Sequence, residues 1–430
     1  MTELVALLDD RPIGRLRADR HGHPQLVYDD AYRADPTATP LSLALPLAAE
    51  QHDSEVVAAV LWGILPDNDR VLQRWASRFQ VSARNPLALL AHVGEDCAGA
   101  VQFVRPERVD DRLSGADDGI AWLTDDDIAA RLTHLREDGS AGREAGDAGQ
   151  FSLAGAQPKT ALYRSPQDGR WGVPRGRVPT SHILKPPTGE YDHYAINEHF
   201  CLELARSVDL PTASSSVARF GDEVAICVER YDRAVDGGTL RRVHQEDFCQ
   251  ALAVFPHRKY QNDGGPSPAD LTDVLRRHSL DPGADVRHLF RVLVFNWLIV
   301  GTDAHAKNYS LLLSAGGRAL LAPLYDMSSF LPYPQLNLRK QKLAMRVGGH
   351  YRWWEIAPRD WRQAASELGM DEGEALAMVD ELAQRLPDHA SQLRQVLHEE
   401  GLAGGMLDRL VDGIARSAEH WQRFPSADRT

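Results

Sequence analysis

Short apolar stretches separated by turn-forming compositions dominate the first hundred positions. Apolar residues 4–8 and 13–16 flank Asp9-Asp10-Arg11-Pro12, a turn composition, and this pattern predicts a hairpin. Residues 25–28 and 41–45 are further strand candidates. The apolar spacing over 56–64 predicts a helix, followed by a turn at 65–70 and a second helix from Val71. Residues 98–104 read as a closing strand, so 1–105 forms an α+β module.

The pattern changes at Arg105. Residues 106–150 hold one helix beginning near Ile128, with Asp125, Asp126 and Asp127 expected to cap it. Residues 139–150 (Gly-Ser-Ala-Gly-Arg-Glu-Ala-Gly-Asp-Ala-Gly-Gln) are poor in apolar side chains and read as a linker. Residues 151–240 return to an α/β pattern, with strands at 160–163, 182–184 and 224–228 and a helix at 195–206. Beyond Val243 the periodicity is helical, at 247–254, 270–278, 286–300, 361–367, 372–386 and 391–399. This predicts an all-helical domain over 241–430. No internal repeat is present.

Composition narrows the class. At 430 residues, with 43% hydrophobic and 25% charged positions, the chain suits two or three compact soluble units. A net charge of −13 argues against a direct, non-specific grip on nucleic acid, which needs clustered Lys and Arg, although a basic partner could bring the chain to DNA. Cys97, Cys201, Cys227 and Cys249 are scattered and read as reduced thiols of a cytoplasmic protein. The first residues lack the basic and long apolar regions of a secretory signal. No apolar run approaches the ~20 residues of a membrane span.

Within this frame the segment from Trp297 to Met327 carries candidate chemistry. It reads Trp-Leu-Ile-Val-Gly-Thr-Asp-Ala-His-Ala-Lys-Asn, and later Tyr325-Asp326. Asp303 and Asn308 are separated by four residues, and Asp326 follows Asn308 by eighteen. Phosphoryl transfer to a hydroxyl asks for such a set: one carboxylate to orient the acceptor, and an amide oxygen and a second carboxylate to hold Mg²⁺ against phosphate. Asp303 is the candidate base, Asn308 and Asp326 the candidate ligands. His305 and Lys307 lie within the loop, where either could meet phosphate. Taken alone, the loop reads equally as a helix cap followed by a turn residue.

Three upstream segments bear on this choice. Lys185 ends a strand-like Ser-His-Ile-Leu-Lys, where it could reach phosphates as a point charge, and Glu198 on the next helix could orient it. The bland alternative is an edge-strand lysine and a solvated glutamate. In Phe151-Ser-Leu-Ala-Gly-Ala-Gln-Pro-Lys-Thr160, Gly155 between Ala154 and Ala156 lets backbone N–H groups approach an anion, and Lys159 adds charge. An ordinary hairpin turn reads the same way. The end of the strand at Glu229-Arg230-Tyr231 could offer backbone groups and a flat ring to adenine; otherwise its charges are a solvated strand end.

Taken together and in this order, Ala-Gly-Ala-Gln-x-Lys, Leu-Lys-Pro-Pro, Val-Glu-Arg-Tyr-Asp-Arg and Gly-Thr-Asp-Ala-His-Ala-Lys-Asn…Tyr-Asp resemble the HipA-type serine/threonine kinases, the toxins of bacterial HipBA toxin–antitoxin modules. Gly-Ile-Leu-Pro-Asp-Asn-Asp-Arg at 63–70, His-Gln-Glu-Asp-Phe-Cys-Gln-Ala-Leu at 244–252 and Asn-Asp-Gly-Gly-Pro at 262–266 extend the resemblance over most of the chain. It implies an α+β, two-lobed protein-kinase-like (HipA-like) fold with an α/β N-terminal domain and an all-helical C-terminal domain. It implies Asp303 as catalytic aspartate and Asn308 and Asp326 as magnesium ligands. ATP would be held by Ala154, Gly155, Ala156, Gln157, Pro158, Lys159, Lys185, Glu229, Arg230, Tyr231, His305, Asn308, Tyr325 and Asp326. Ser152 matches the family's autophosphorylated serine, whose modification ejects the phosphate loop; the added charge beside a loop built for phosphates gives that release a physical reason. Pro158 departs from members that carry a charged residue there. The implied partners are a HipB-like helix-turn-helix antitoxin, through which DNA is contacted, and a protein substrate such as an aminoacyl-tRNA synthetase. A small-molecule or lipid kinase, or a silent co-repressor acting with an antitoxin on DNA, are the alternative functions.

Overall fold

The computed structural model describes residues 2–139, 152–155, 157–187, 193–402 and 404–429. Phe151, Ala156 and residues 140–150 of the linker expected at 139–150 lie outside the described residues. The chain divides into two compact units. The first comprises Met1–Thr188, Ser216–His257 and Ser310–Ala319; the second comprises Gly189–Ser215, Arg258–Tyr309 and Leu320–Thr430.

The first unit contains two larger sheets. One is antiparallel, in the order Pro24–Tyr28, Arg11–Ala18, Glu3–Leu8, Val101–Val104, with Leu4 opposite Leu16 and Ala6 opposite Phe103. Strand Glu3–Leu8 is apolar without alternation because both of its faces are covered. Leu4, Ala6 and Leu8 join the core beneath helices Ser54–Ile64 and Pro86–Val93, while Val5 and Leu7 pack with Val104, Val109 and Leu113. The strand expected at 41–45 is absent. Pro40 and Pro46 bracket it, and side chains replace a ladder: Leu41 N–H donates to the Tyr28 hydroxyl at 2.9 Å and Leu43 N–H to Glu246 at 2.8 Å.

The other sheet runs Gly119–Trp122, Trp171–Arg175, Thr160–Arg164, His182–Lys185, Glu223–Glu229, Ser215–Phe220. Three of these strands escape the sequence pattern: Gly172 and Pro174 interrupt one, and the other two are short or half-exposed. Helix Asp125–Glu137 buries Ile128 and Leu132 against this sheet. Its cap is Thr124, which forms a capping box with Asp127; the three aspartates fill the first turn and favour the dipole from there.

The motif at 244–252 fastens the N-terminal module within this unit. The His244 ring meets the Leu41 carbonyl at 3.0 Å, Glu246 accepts from Leu43, and Gln250 Nε2 donates to the Val60 carbonyl at 3.3 Å. All four cysteines are buried and free.

The second unit is built on helices Tyr194–Ser207, Pro268–His278, Pro282–Leu298, Pro358–Glu367, Glu372–Glu399 and Gly405–Gln422. Ser267 and Asp281 cap their helices with proline at the first helical position, where a missing N–H costs nothing. Trp297 anchors the core, its ring edge-on to Trp361 at 5.6 Å and to Trp421 at 5.9 Å, all three fully buried. The helices expected at 372–386 and 391–399 are one. A single stripe through Leu376, Val379, Leu386, Ala390 and Leu397 stays buried, and its packing outweighs the ~3 kcal/mol that Pro387 costs a helix interior.

The all-helical expectation for 241–430 needs correction. Strands Gln245–Asp247, Ser310–Ser314, Arg318–Leu321, Lys342–Val347 and His350–Arg352 lie within it. At three to six residues, they are too short for a period-two pattern to stand out from neighbouring helical spacing. Among the described residues no helix is long and apolar enough to cross a membrane.

Candidate active site

Helix Pro282–Leu298 delivers the second unit's candidate residues by the way it ends. Gly301 N–H bonds back to the Asn296 carbonyl at 2.7 Å and Val300 N–H to the Trp297 carbonyl at 3.1 Å, the paired bonds of a Schellman motif. Its left-handed position, usually glycine, is Val300 with φ +50°. That conformation costs a β-branched residue about 1–2 kcal/mol, while complete burial of the side chain returns about 1.5–3 kcal/mol. Burial wins. Gly301 has no such latitude, since a Cβ there would sit 2.7 Å from Asn296 Oδ1.

The turn then places Asp303 at the surface and folds Ala306–Asn308 into one 3₁₀ turn. Asn308 Nδ2 donates to the Asp303 carbonyl at 2.8 Å, and Asn308 N–H to the His305 carbonyl at 2.8 Å. His305 is buried, its ring edge-on to Tyr260 at 4.9 Å. The Tyr260 hydroxyl donates to Asp303 Oδ1. The Tyr325 hydroxyl bonds to the Lys307 carbonyl at 2.8 Å, and the next residue, Asp326, takes φ +55°, a left-handed conformation aspartate tolerates. Asp303, Asn308, Tyr325 and Asp326 line one pocket with Asn296, Gly301 and Ser328.

Helix Tyr194–Ser207 fixes the segment after Asp326. The Asn197 amide donates to the Ser329 carbonyl at 2.8 Å and accepts from Ser329 N–H at 3.0 Å, and the Tyr194 hydroxyl meets Ser328 Oγ at 2.9 Å. Burial, and then the negative charges of Asp326, Glu198 and Asp303, push the Tyr194 hydroxyl well above its ordinary pKa. Tyr194, Asn197 and Tyr260 were not singled out by sequence. Their contacts reach across 43 to 134 positions, and only the Asn-Asp-Gly-Gly-Pro run beside Tyr260 hinted at them.

The remaining candidates belong to the first unit. Ser152 is fully buried; its Oγ donates to the Ile64 carbonyl at 2.9 Å and its N–H to the Asp96 carbonyl at 3.0 Å. Gly155 forms a parallel bridge with Pro66, and Asp67 N–H donates to the Gly155 carbonyl at 3.2 Å. Gly155 takes φ +102°, and Lys159 Nζ folds back to the Ala154 carbonyl at 2.8 Å. Gln157 and Pro158 are half-buried beyond it, while Ala156 is outside the described residues. Lys185 is not an edge lysine: its strand is interior to the six-stranded sheet, it pairs with Ile226, and its side chain is buried.

At the neighbouring strand end, Glu229 is exposed and Arg230 buried, as alternation dictates. Arg230 donates to Asp232 through Nε and Nη2, to Thr180 Oγ1 at 2.8 Å and to the Cys97 carbonyl at 2.8 Å. Its backbone N–H bonds to the Ser181 carbonyl at 2.9 Å. The guanidinium is therefore part of a buried ion cluster with Asp96, Asp232, Arg233 and Arg242. Burial raises the Asp96 carboxyl, but the charges of Arg233, Arg242 and Arg230 overcome it and hold it well below the usual range. Tyr231 donates its hydroxyl to Gln245.

A cation would find a consistent donor set in the second unit. Bonding of Asn308 Nδ2 to Asp303 makes Oδ1 the atom with which Asn308 can hold a metal, and Asp326 supplies a carboxylate in the same pocket. One amide and one carboxylate oxygen suit Mg²⁺, which keeps waters and takes its other oxygens from phosphates. Among the described residues no cluster of three or more His, Cys, Asp or Glu is arranged to hold a metal alone.

Comparison with known proteins gives this geometry its class. The fold matches that of HipA from Shewanella oneidensis MR-1, solved in complex with HipB and operator DNA, with a TM-score of 0.83 over 99% of both chains at 24% identity. The HipA N-terminal domain model matches residues 4–104 and the HipA-like C-terminal domain model residues 151–390. Y4mE of Sinorhizobium fredii (strain NBRC 101917 / NGR234) is 33% identical over 417 residues, 96% of each chain. The serine/threonine-protein kinase toxin HipA of Shewanella oneidensis is 26% identical over 379 residues, 82% of this chain and 81% of that one. The chain belongs to the HipA family, serine/threonine protein kinases of toxin–antitoxin type. Membership of a kinase family implies the use of ATP.

Proposed function

We propose that this kinase is the toxin of a type II toxin–antitoxin module, acting in the cytoplasm. It transfers the γ-phosphate of ATP to a serine of a protein substrate, and an aminoacyl-tRNA synthetase is the expected target. The observation that carries this reading is the single pocket lined by Asp303, Asn308 and Asp326. Asp303, exposed at the turn, orients the acceptor hydroxyl and takes up its proton as the bond to phosphorus forms. Asn308 and Asp326 would hold Mg²⁺, which when bound offsets the charge of the phosphates. Lys185 and the loop from Ala154 to Lys159 take the ATP phosphates. Glu229 and Tyr231 line the adenine, with Arg230 holding their strand end in place through its buried ion pairs.

Ser152 is proposed as the autophosphorylation site that silences the enzyme. Its hydroxyl is buried against the Ile64 carbonyl, so a phosphate there cannot be accommodated without release of the loop. The solved relative is in complex with HipB and operator DNA. By that likeness a HipB-like antitoxin binds this chain and carries the contact with DNA, as a net charge of −13 favours.

Incubation with labelled ATP and a lysate of the source cell tests the reading. Label entering one protein band, together with Ser152 of the kinase, is the expected result. Label confined to small molecules contradicts it, and no transfer with no Mg-ATP binding would point to a silent co-repressor.

A further inference from the structure

The run from Arg258 to Pro266, Arg-Lys-Tyr-Gln-Asn-Asp-Gly-Gly-Pro, enters the site through the Tyr260 ring and hydroxyl. Its backbone is built around one residue. Asp263 and Gly265 N–H groups both bond to the Tyr260 carbonyl, at 3.0 and 2.9 Å, so the 3₁₀ turn Gln261–Asp263 closes back upon it. Gly264 takes φ +83°, and a Cβ on Gly265 would collide with the Arg258 and Tyr260 carbonyl oxygens. The two glycines are therefore requirements of the turn.

Two further contacts fix the turn in the second unit. Arg346 N–H donates to Gln261 Oε1 at 2.8 Å, and Ala306 N–H to the Lys259 carbonyl at 3.3 Å, which ties the turn to the 3₁₀ segment before Asn308. The Tyr260 ring stands at 89° to His305, and its hydroxyl reaches Asp303 Oδ1. One oxygen of the Asp303 carboxylate is thereby engaged.

We propose that Tyr260 is a positioning residue for the transfer reaction, holding the Asp303 carboxylate in one rotamer through its hydroxyl. This deepens the proposed function and rests on Asp303 being the base. Hydrogen bonds to a charged group are among the stronger ones, and a base misplaced by a fraction of an ångström loses rate, while the hydroxyl that phenylalanine lacks is not among the groups proposed to hold ATP. The ring contact with His305 is packing and survives in phenylalanine.

The test compares Tyr260→Phe and Tyr260→Ala with the wild-type full-length chain, measuring kcat and the KM for ATP from label transferred to protein, with melting temperature alongside. Tyr260→Phe is expected to lower kcat about tenfold with unchanged KM and melting temperature, and Tyr260→Ala to lower it at least as far. Wild-type kcat in Tyr260→Phe would reduce the residue to packing and overturn the proposal. A kcat above wild type would also overturn it, because the hydroxyl would then be blocking the acceptor. Asp303→Gln separates the two levels. If it is inactive while Tyr260→Phe is unchanged, only this inference falls; if it stays active, the proposed function falls with it.

Discussion

The turn that carries Asp303 and the loop that carries Ser152 are held in different ways. The turn is fastened first by local bonds, with Lys259 and Tyr260 as longer ties: its Schellman bonds reach back to residues 296 and 297, and Asn308 bonds to the Asp303 carbonyl five positions away. Among the loop's described residues one bond is local, from Lys159 to the Ala154 carbonyl, while those to Ile64, Asp67 and Asp96 span 56 to 88 positions. Local bonds to a core helix survive as long as that helix does. Bonds to a distant module fail together when the contact surface is disturbed, and a phosphate on Ser152 is the disturbance proposed above. A firmly held turn and a separately anchored loop are what the proposed self-silencing would use.

The largest effect expected bears on the loop's anchoring module. Burial pushes Glu246, which holds Leu43 of that module, from 4.5 up to about 8. The folded protein therefore keeps a proton that the unfolded chain loses above pH 4.5. The stability this contributes is complete below pH 4.5 and is lost as pH rises to about 8, on the order of 5 kcal/mol in all. Glu246→Gln should flatten that slope in denaturant titrations at pH 5 and pH 8.5; an unchanged slope would show that the carboxyl is ionised in the fold.

On the turn side, Asp326→Asn keeps a side chain that tolerates the left-handed backbone and removes the charge. Transfer should fall about a hundredfold or more, with a steeper dependence on Mg²⁺ concentration. Gly301→Ala forces Asn296 aside and should cost about 1–3 kcal/mol in a denaturant melt, with transfer reduced in parallel. Ser152→Ala loses one bond to Ile64, about 1 kcal/mol, and removes the proposed self-modification, which mass spectrometry reads directly. Smallest is Val300→Gly, where relief of the backbone offsets lost burial to within about 1 kcal/mol. Val300→Ala keeps the strain and loses burial, so it should be the less stable of the two.

The candidate reacting groups were legible in the sequence because the proposed chemistry restricts their types and their spacing. Asp303, Asn308 and Asp326 could be read from a loop, and the structure places them in one pocket. Residues that act through tertiary contact left no such trace. Tyr194 and Tyr260 meet their partners from 134 and 43 positions away, and nothing in their local context requires it. Arg230 departs from its local reading as a solvated strand end, since alternation turns its side chain inward to Asp232. The main elements followed from periodicity, with errors where a local rule yielded to packing. Pro387 suggested a break that a buried stripe overrides, and prolines and side-chain bonds displaced the strand expected at 41–45.

The central claim is that the Asp303 turn performs phosphoryl transfer. Its most direct test is incorporation of labelled phosphate by purified Asp303→Gln protein, with antitoxin binding as the measure of an intact fold. The account predicts antitoxin binding near wild type and label reduced about a hundredfold or more. Label at the wild-type rate would contradict it and move the chemistry elsewhere in the molecule.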